Sequence, residues 1–285
     1  MSTGETERAR APWYKRLFKK GPVVPVVRLQ GQISQDQRPG RLNIASISPL
    51  LEKAFANRKA PAVALVVNSP GGSPVQSRLI ARRIRQLADR HDKTVLVFVE
   101  DAAASGGYFI AVAGDEVIAD PSSIVGSIGV VMAGFGFVDA IAKLGVTRRL
   151  YTAGTNKSTL DPFLPEKPED VDHIKQLELD VHDVFIDYVR TRRGEKLKGE
   201  EAELFSGRFW TAGRALEMGL VDGLGEMHTV LRERYGNDVR LRPIAPKRSF
   251  FSLPGLGIGA QGTDDALGSA LNRLEERALW ARLGL

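Results

Sequence analysis

The sequence predicts an α/β fold built on a mainly parallel sheet, and three observations carry that prediction. Short apolar runs alternate with helical patterns from Pro25 onward. The runs at Ala62–Asn68 and Thr94–Val99 are almost wholly apolar, as strands buried on both faces must be. Finally, 43% hydrophobic residues in a chain of 285 suffice for one large α/β core or two modest ones.

The elements follow in order. "PVVRL" (Pro25 to Leu29) reads as a strand, "IASISPLLEKAFAN" as a helix and "AVALVVN" as a buried strand. "SPVQSRLIARRIRQLADR" has an amphipathic helical period that places Leu79, Ile80, Ile84 and Leu87 on its apolar side. "TVLVFV" is the next buried strand, and "EDAAASGGY" after it reads as a loop opening a helix. "GSIGVV", a helix from Phe137 to Leu144 and a strand "VTRRLYTA" (Val146 to Ala153) continue the alternation, which favours right-handed crossovers.

Beyond Ala153 the texture changes. "GTNKSTLDPFLPEKPED" is polar, carries three prolines and reads as a loop. A long helix is expected from Glu169 to Arg193, with Ile174, Leu177, Val181, Val184, Phe185 and Tyr188 on one side. "LFSGRFWTAGRALEMGLVDGLG" holds a helix capped by Thr211 and stopped by Gly219. Three units result: a basic amphipathic arm (1–21), one domain (22–244), and a Gly/Pro-rich linker with an amphipathic helix from Asp264 to Leu283 (245–285).

Charge narrows the partners. Residues 1–20 hold six Lys or Arg against Glu5 and Glu7, so four of the chain's six net positive charges sit in the arm. A nucleic-acid-binding body should carry its basic patch on the folded domain, so no nucleic-acid partner is expected. In the arm, Trp13 with Leu17 and Tyr14 with Phe18 are four apart, so a helix over residues 12–20 would set an aromatic face beside a basic one. That pattern suits peripheral contact with an anionic membrane surface, and equally a cover over a neighbouring subunit. The longest uncharged window, residues 121–138, is broken by Pro121 and four glycines and reads as strand and turns rather than a span. A soluble, cytoplasmic chain is therefore expected. There are no cysteines, and the four histidines lack metal-ligand spacing, so no metal site is expected.

Two loops stand at the carboxyl ends of buried strands, where open α/β sheets place their sites. In "NSPGGSP", Gly71 and Gly72 allow backbone geometries and approaches that side chains would block. In "EDAAASGGY", Ser105 opens a helix, with Gly106 and Gly107 beside it. On the residues alone, Ser105 reads as a helix cap or as a presented nucleophile. The chain lacks G-x-S-x-G, and none of its histidines sits in a loop at the end of a buried strand, so a nucleophilic serine would need another base.

Taken together, "NSPGG", "ASGGY", "GSIGVV", "GTNKS" and "FSGRFWTAGRALEMGLVDGLG" resemble the ordered motifs of the signal peptide peptidase A (SppA) family of serine peptidases. The resemblance covers residues 22 to 244. It implies the fold shared with ClpP and the crotonases, a parallel sheet built from repeated β-β-α units with surrounding helices. It also implies Ser105 as nucleophile, Lys157 as general base fifty-two residues on, and Ser127 as the group that orients the lysine. The backbone N–H groups of Gly72 and Gly106 would form the oxyanion hole, with Asn68 and Gly71 shaping its loop. No metal or other cofactor is implied.

A lysine ammonium titrates near about 10.4 in water, so the implied base needs burial to lower it. A carboxylate close by would act the opposite way, so Asp161 is expected to point away from Lys157. The resemblance further implies hydrophobic peptide substrates such as remnant signal peptides or misfolded membrane-proximal segments. Val130, Val131, Met132 and Phe135 are candidates for the groove wall, although composition alone assigns them to a core. Similarity to the short single-domain members implies a ring-like homo-oligomer, an octamer, with serine and lysine from adjacent protomers. The alternatives are a crotonase-type acyl-CoA enzyme, which would not need the serine paired with the lysine, and a noncatalytic scaffold, which would not need either.

Overall fold

A computed structural model describes residues 21–36, 38, 40–246 and 277–285. The expected basic arm, up to residue 20, and the tail from 247 to 276 lie outside the described residues.

Eight strands form one sheet: β1 (Val23–Gln30), β2 (Ala62–Ser69), β3 (Thr94–Ala104), β4 (Glu116–Ala119), β5 (Ile124–Gly126), β6 (Phe209–Thr211), β7 (Gly223–Leu224) and β8 (Arg240–Pro243). The main path runs β6-β5-β3-β2-β1-β8, and every pairing is parallel except β5 with β6. Strand β3 forks. Its first half, Leu96 to Val99, pairs with β4, and its last three residues, Ala102 to Ala104, pair with β5.

Alternation along the strands divides the core between two faces. Val27, Leu29, Val63, Leu65, Val95 and Val97 meet helices α1 (Ile44–Phe55), α2 (Pro74–His91) and α3 (Gly106–Ala111) on one face. Val24, Val26, Ala64, Val66, Leu96 and Phe98 meet Leu231 of helix α8 (Met227–Tyr235) on the other. Helix α1 starts where the Asn43 side chain accepts from the Ser46 N–H, and it buries Ile47, Leu51, Ala54 and Phe55 at helical spacing. Ser73 caps α2 ahead of Pro74, and Asp92 closes it with φ 48°.

Several expectations change. Strand β3 runs through Ala104, so the alanines before Ser105 are sheet rather than loop. In α2 the buried stripe is Ile80, Ile84 and Leu87, while Leu79 is turned about 100° away from Ile80 and is exposed. "VTRRLYTA" forms no strand, because none of the described residues pairs with it, and all eight residues are exposed. Helix α4 (Val138–Lys143) buries no residue. Helix α5 (Pro168–Arg193) buries Phe185 and Val189 but leaves Leu177, Val181 and Val184 exposed, because its packing on the core begins only at Phe185. After the short helix α6 (Glu201–Leu204), Thr211 stands at the start of α7 (Ala212–Glu217) without a side-chain capping bond, and Gly219 (φ 72°) ends it against the Lys196 carbonyl. Residues 277–281 are helical, as expected for the end of the tail helix. Among the described residues, no helix is long and apolar enough to cross a membrane.

One buried ion pair locks α5 to the sheet. Arg193, 4% exposed, donates to Asp222 Oδ2 at 2.6 Å and twice to the Gly219 carbonyl, while Lys196 and the Val117 N–H also donate to the Asp222 carboxylate. Burial pushes the Asp222 carboxyl up, but those donors together outweigh burial and hold it below the usual carboxylate range. Its contribution is therefore present above the ordinary carboxylate range and lost as pH falls through the depressed value. Asp222→Ala leaves Arg193 buried without its anion, and chemical denaturation should show a loss of about 3–5 kcal/mol at neutral pH.

Candidate active site

The site is built where β2 and β3 end. Their register runs to Val67↔Val99 and resumes at Ser69↔Ala103, two residues on along β2 but four on along β3. The extra residues form a bulge that re-aims the end of β3. Asn68 stitches it: Nδ2 donates to Asp101 Oδ2 at 2.5 Å, and Oδ1 accepts from the Ala102 N–H at 3.3 Å. The Asn68 side chain thus acts on the bulge, whereas the glycine loop beyond β2 is held by the buried Ser69. Ser69 Oγ donates to the Gly31 carbonyl at 2.7 Å and accepts from the Gly71 N–H at 3.2 Å.

Ser105 follows directly, with φ 51° and ψ −122°, a conformation that costs a non-glycine residue about 1–3 kcal/mol. Surrounding bonds fix it: its N–H donates to Gly126 O at 2.8 Å and its carbonyl accepts from the Phe109 N–H at 2.9 Å. The Ser105 side chain makes no capping bond to α3. The helix-cap reading is therefore not met, because a cap would spend the hydroxyl on the helix.

Glycines make room around it. A Cβ on Gly71 (φ +103°) would stand 2.8 Å from Ser105 Cβ, and one on Gly106 would stand 2.3 Å from Ser77 Oγ. Gly72 (φ +137°) bridges Ile33 in parallel fashion, with the Ile33 N–H donating to Gly71 O and the Ser73 N–H to Ile33 O. In such a bridge the N–H of the central residue points to the opposite edge, so the Gly72 amide faces away from Ile33. Gly106 opens α3, where amides lack an intrahelical partner.

Ser105, Gly72, Gly106 and Ser127 line one cavity of about 1320 Å³. Phe109, Val130, Val131, Phe185 and Phe209 supply apolar wall, and Leu283 joins them from the carboxyl terminus. Val130 and Val131 sit where a groove wall requires, whereas Met132 and Phe135, 59% and 82% exposed, do not line the cavity. Ser127 (φ 54°) hangs from β5, its N–H donating to Arg208 O at 2.7 Å.

Lys157 is elsewhere. It is exposed in the loop before α5, and no residue from 132 to 179 lines the cavity. That loop is fixed to the α4 segment: the Phe137 N–H donates to Pro162 O at 2.6 Å, the Phe137 and Phe163 rings stack at 5.6 Å, and Arg148 pairs with Asp161 at 3.0 Å. The Phe163 N–H and Arg148 hold the Asp161 carboxyl below its usual range, and its oxygens are taken up by those donors rather than by Lys157. A single chain thus gathers Ser105, Ser127, Gly72 and Gly106 but leaves Lys157 on a projecting arm.

The model of peptidase family S49 matches residues 88–237, which include Ser105, Ser127 and Lys157. The chain belongs to peptidase family S49. The S49 chain is 56% identical over 273 residues to a Brucella abortus protein named Na(+)/H(+) antiporter NhaA, covering 92% of this chain and 37% of that one. It is 34% identical to Protease 4 of Haemophilus influenzae, covering 74% of this chain and 34% of the relative. The S49 chain thus spans about a third of the length of these relatives. Among solved structures, the 1510-N membrane-bound stomatin-specific protease superposes with a TM-score of 0.51 at 18% identity, over 80% of this chain and 99% of that one. This likeness establishes the fold, the ClpP-like α/β architecture expected from the motifs.

Three residues of the candidate site carry no signal in the sequence. Ser69 stands inside "NSPGG" beside the glycines that drew notice, and its two hydrogen bonds are what set the loop. Ser77 reads as an ordinary helix residue, yet it packs against Gly106. Ile33 carries no local signal, because its role comes from a bridge across thirty-nine residues of chain to Gly72.

Proposed function

We propose that this chain is a serine endopeptidase in which Ser105 attacks the peptide carbonyl and Lys157 of a neighbouring subunit takes its proton. The observation that carries the reading is Ser105 itself, uncapped, held at positive φ, and lining a cavity with the two amide-bearing glycines. The hydroxyl proton passes to the lysine amine as the Oγ–C bond forms. The Gly72 and Gly106 N–H groups receive the oxyanion, and the lysine returns the proton to the leaving amine. Water, deprotonated by the same lysine, then releases the acyl group. Ser127 orients the ammonium.

Assembly supports the shared site. A lysine serves as base only when desolvated, and Lys157 is exposed in one chain. The arm that bears it exposes Phe135, Leu144, Val146 and Tyr151 at 82%, 77%, 54% and 90%, an apolar surface of the kind a subunit contact covers. A ring, with the octamer as the expected size, would bury this arm and bring Lys157 to the next cavity. The apolar wall favours hydrophobic peptides, including membrane-derived and misfolded segments, and the basic arm would bring the ring to the cytoplasmic membrane face.

Ser105 should be labelled by a small fluorophosphonate, located by mass spectrometry of the tryptic digest. Lys157→Ala should keep the oligomeric mass and lose at least about a thousandfold in kcat on a hydrophobic fluorogenic peptide. Native turnover in that variant would refute the dyad.

A further inference from the structure

The cavity wall after Ser127 has no sheet partner of its own. Strand β5 ends at Gly126, and residues 127–137 belong to neither helix nor strand. Two side chains of α5 hold this span instead. Glu178 Oε1 accepts from the Met132 N–H at 2.6 Å, and His182 Nε2 lies 3.0 Å from the Ile128 carbonyl. A carbonyl only accepts, so Nε2 carries the proton and donates. The two holders stand one helical turn apart, on the helix that also lines the cavity through Val181, His182 and Phe185. Between the tethered atoms lie Gly129, Val130 and Val131, and all three line the cavity.

We infer that Glu178 and His182 are positioning residues that clamp the substrate-facing span Gly129–Val131 at both ends, and so set how a peptide seats against Ser105. The inference rests on the proposed peptidase reading. Apart from the clamp, the span is anchored only at its start, by the buried Ile128, the turn in which Gly129 N–H donates to Ser127 O and the packing of Gly129 on Gly207. A mobile wall binds an extended peptide poorly, because ordering it must accompany binding. A small reagent that needs only the serine and its oxyanion donors is insensitive to that wall. The clamp therefore acts on peptide binding more than on nucleophile chemistry.

The test compares Glu178→Ala and His182→Ala with Glu178→Gln and His182→Gln, which keep an acceptor and a donor respectively. Each alanine variant should raise KM for a hydrophobic hexapeptide about tenfold, with kcat within about threefold and fluorophosphonate labelling of Ser105 within about twofold of the wild type. The glutamine variants should restore KM to within about threefold. Wild-type KM in both alanine variants would overturn the clamp. So would glutamine variants as impaired as the alanine ones, or alanine variants whose oligomeric mass falls, which would assign the two residues to folding or assembly. Failure of the wild type to label at Ser105 would instead refute the peptidase reading.

Discussion

Mixing Ser105→Ala subunits with Lys157→Ala subunits, after dissociation and reassembly, should restore hydrolysis that neither variant shows alone. In a ring whose sites join Ser105 of one subunit to Lys157 of the next, random assortment at equal ratio leaves about a quarter of the junctions with both residues intact. The mixture should therefore reach about a quarter of wild-type activity on a fluorogenic peptide, against a background about a thousandfold lower. A site completed inside one chain gives no recovery at any ratio. The expectation comes from the placement of Lys157, exposed beyond a cavity to which nothing between residues 132 and 179 contributes.

The second large effect is Gly72→Ala. The added methyl would meet Ile33 O at 2.0 Å and Ile33 N at 3.0 Å, and the backbone at φ +137° is one an alanine rarely adopts. Both atoms belong to the Ile33 bridge, so the loop has to shift as a unit and carry the Gly72 amide with it. On the proposed mechanism the loss of this oxyanion donor should cost about a hundredfold to a thousandfold in kcat, and the displaced bridge should lower stability by about 2–3 kcal/mol. Thermal melting and peptide kinetics on one preparation would separate the two effects. Gly213→Ala is the control, since it sits in α7 with nothing within 4 Å of the new Cβ, and it should be neutral or slightly stabilising.

How far the sequence could be read depends on where the determining contacts lie. Buried parallel strands announce themselves, because both faces of Ala62–Asn68 must be apolar, and β2 is buried along its whole length. Helices α1 and α2 follow from their caps and period. "VTRRLYTA" shows the opposite case: its composition suits a strand, but a strand exists only by pairing, and the described residues supply no partner. The exposed Val181 and Val184 on α5 line the cavity, a role that helical periodicity does not distinguish from core packing. At the site, Ser105 and the glycines were legible as a pattern, while the reason Ser105 is not a cap lies in backbone angles that residue type does not encode. Asn68 was legible as important but not for its task, because the β3 bulge that it stitches depends on how two strands pair.

The apolar arm has a consequence for when this molecule is active. On the proposed arrangement a freshly synthesised subunit holds a nucleophile but no base, and its lysine stands in water at the end of an unpartnered surface. Competence is then acquired only by encounter, so turnover should vary with more than the first power of subunit concentration. On that arrangement an unassembled subunit cannot cleave the polypeptides around it.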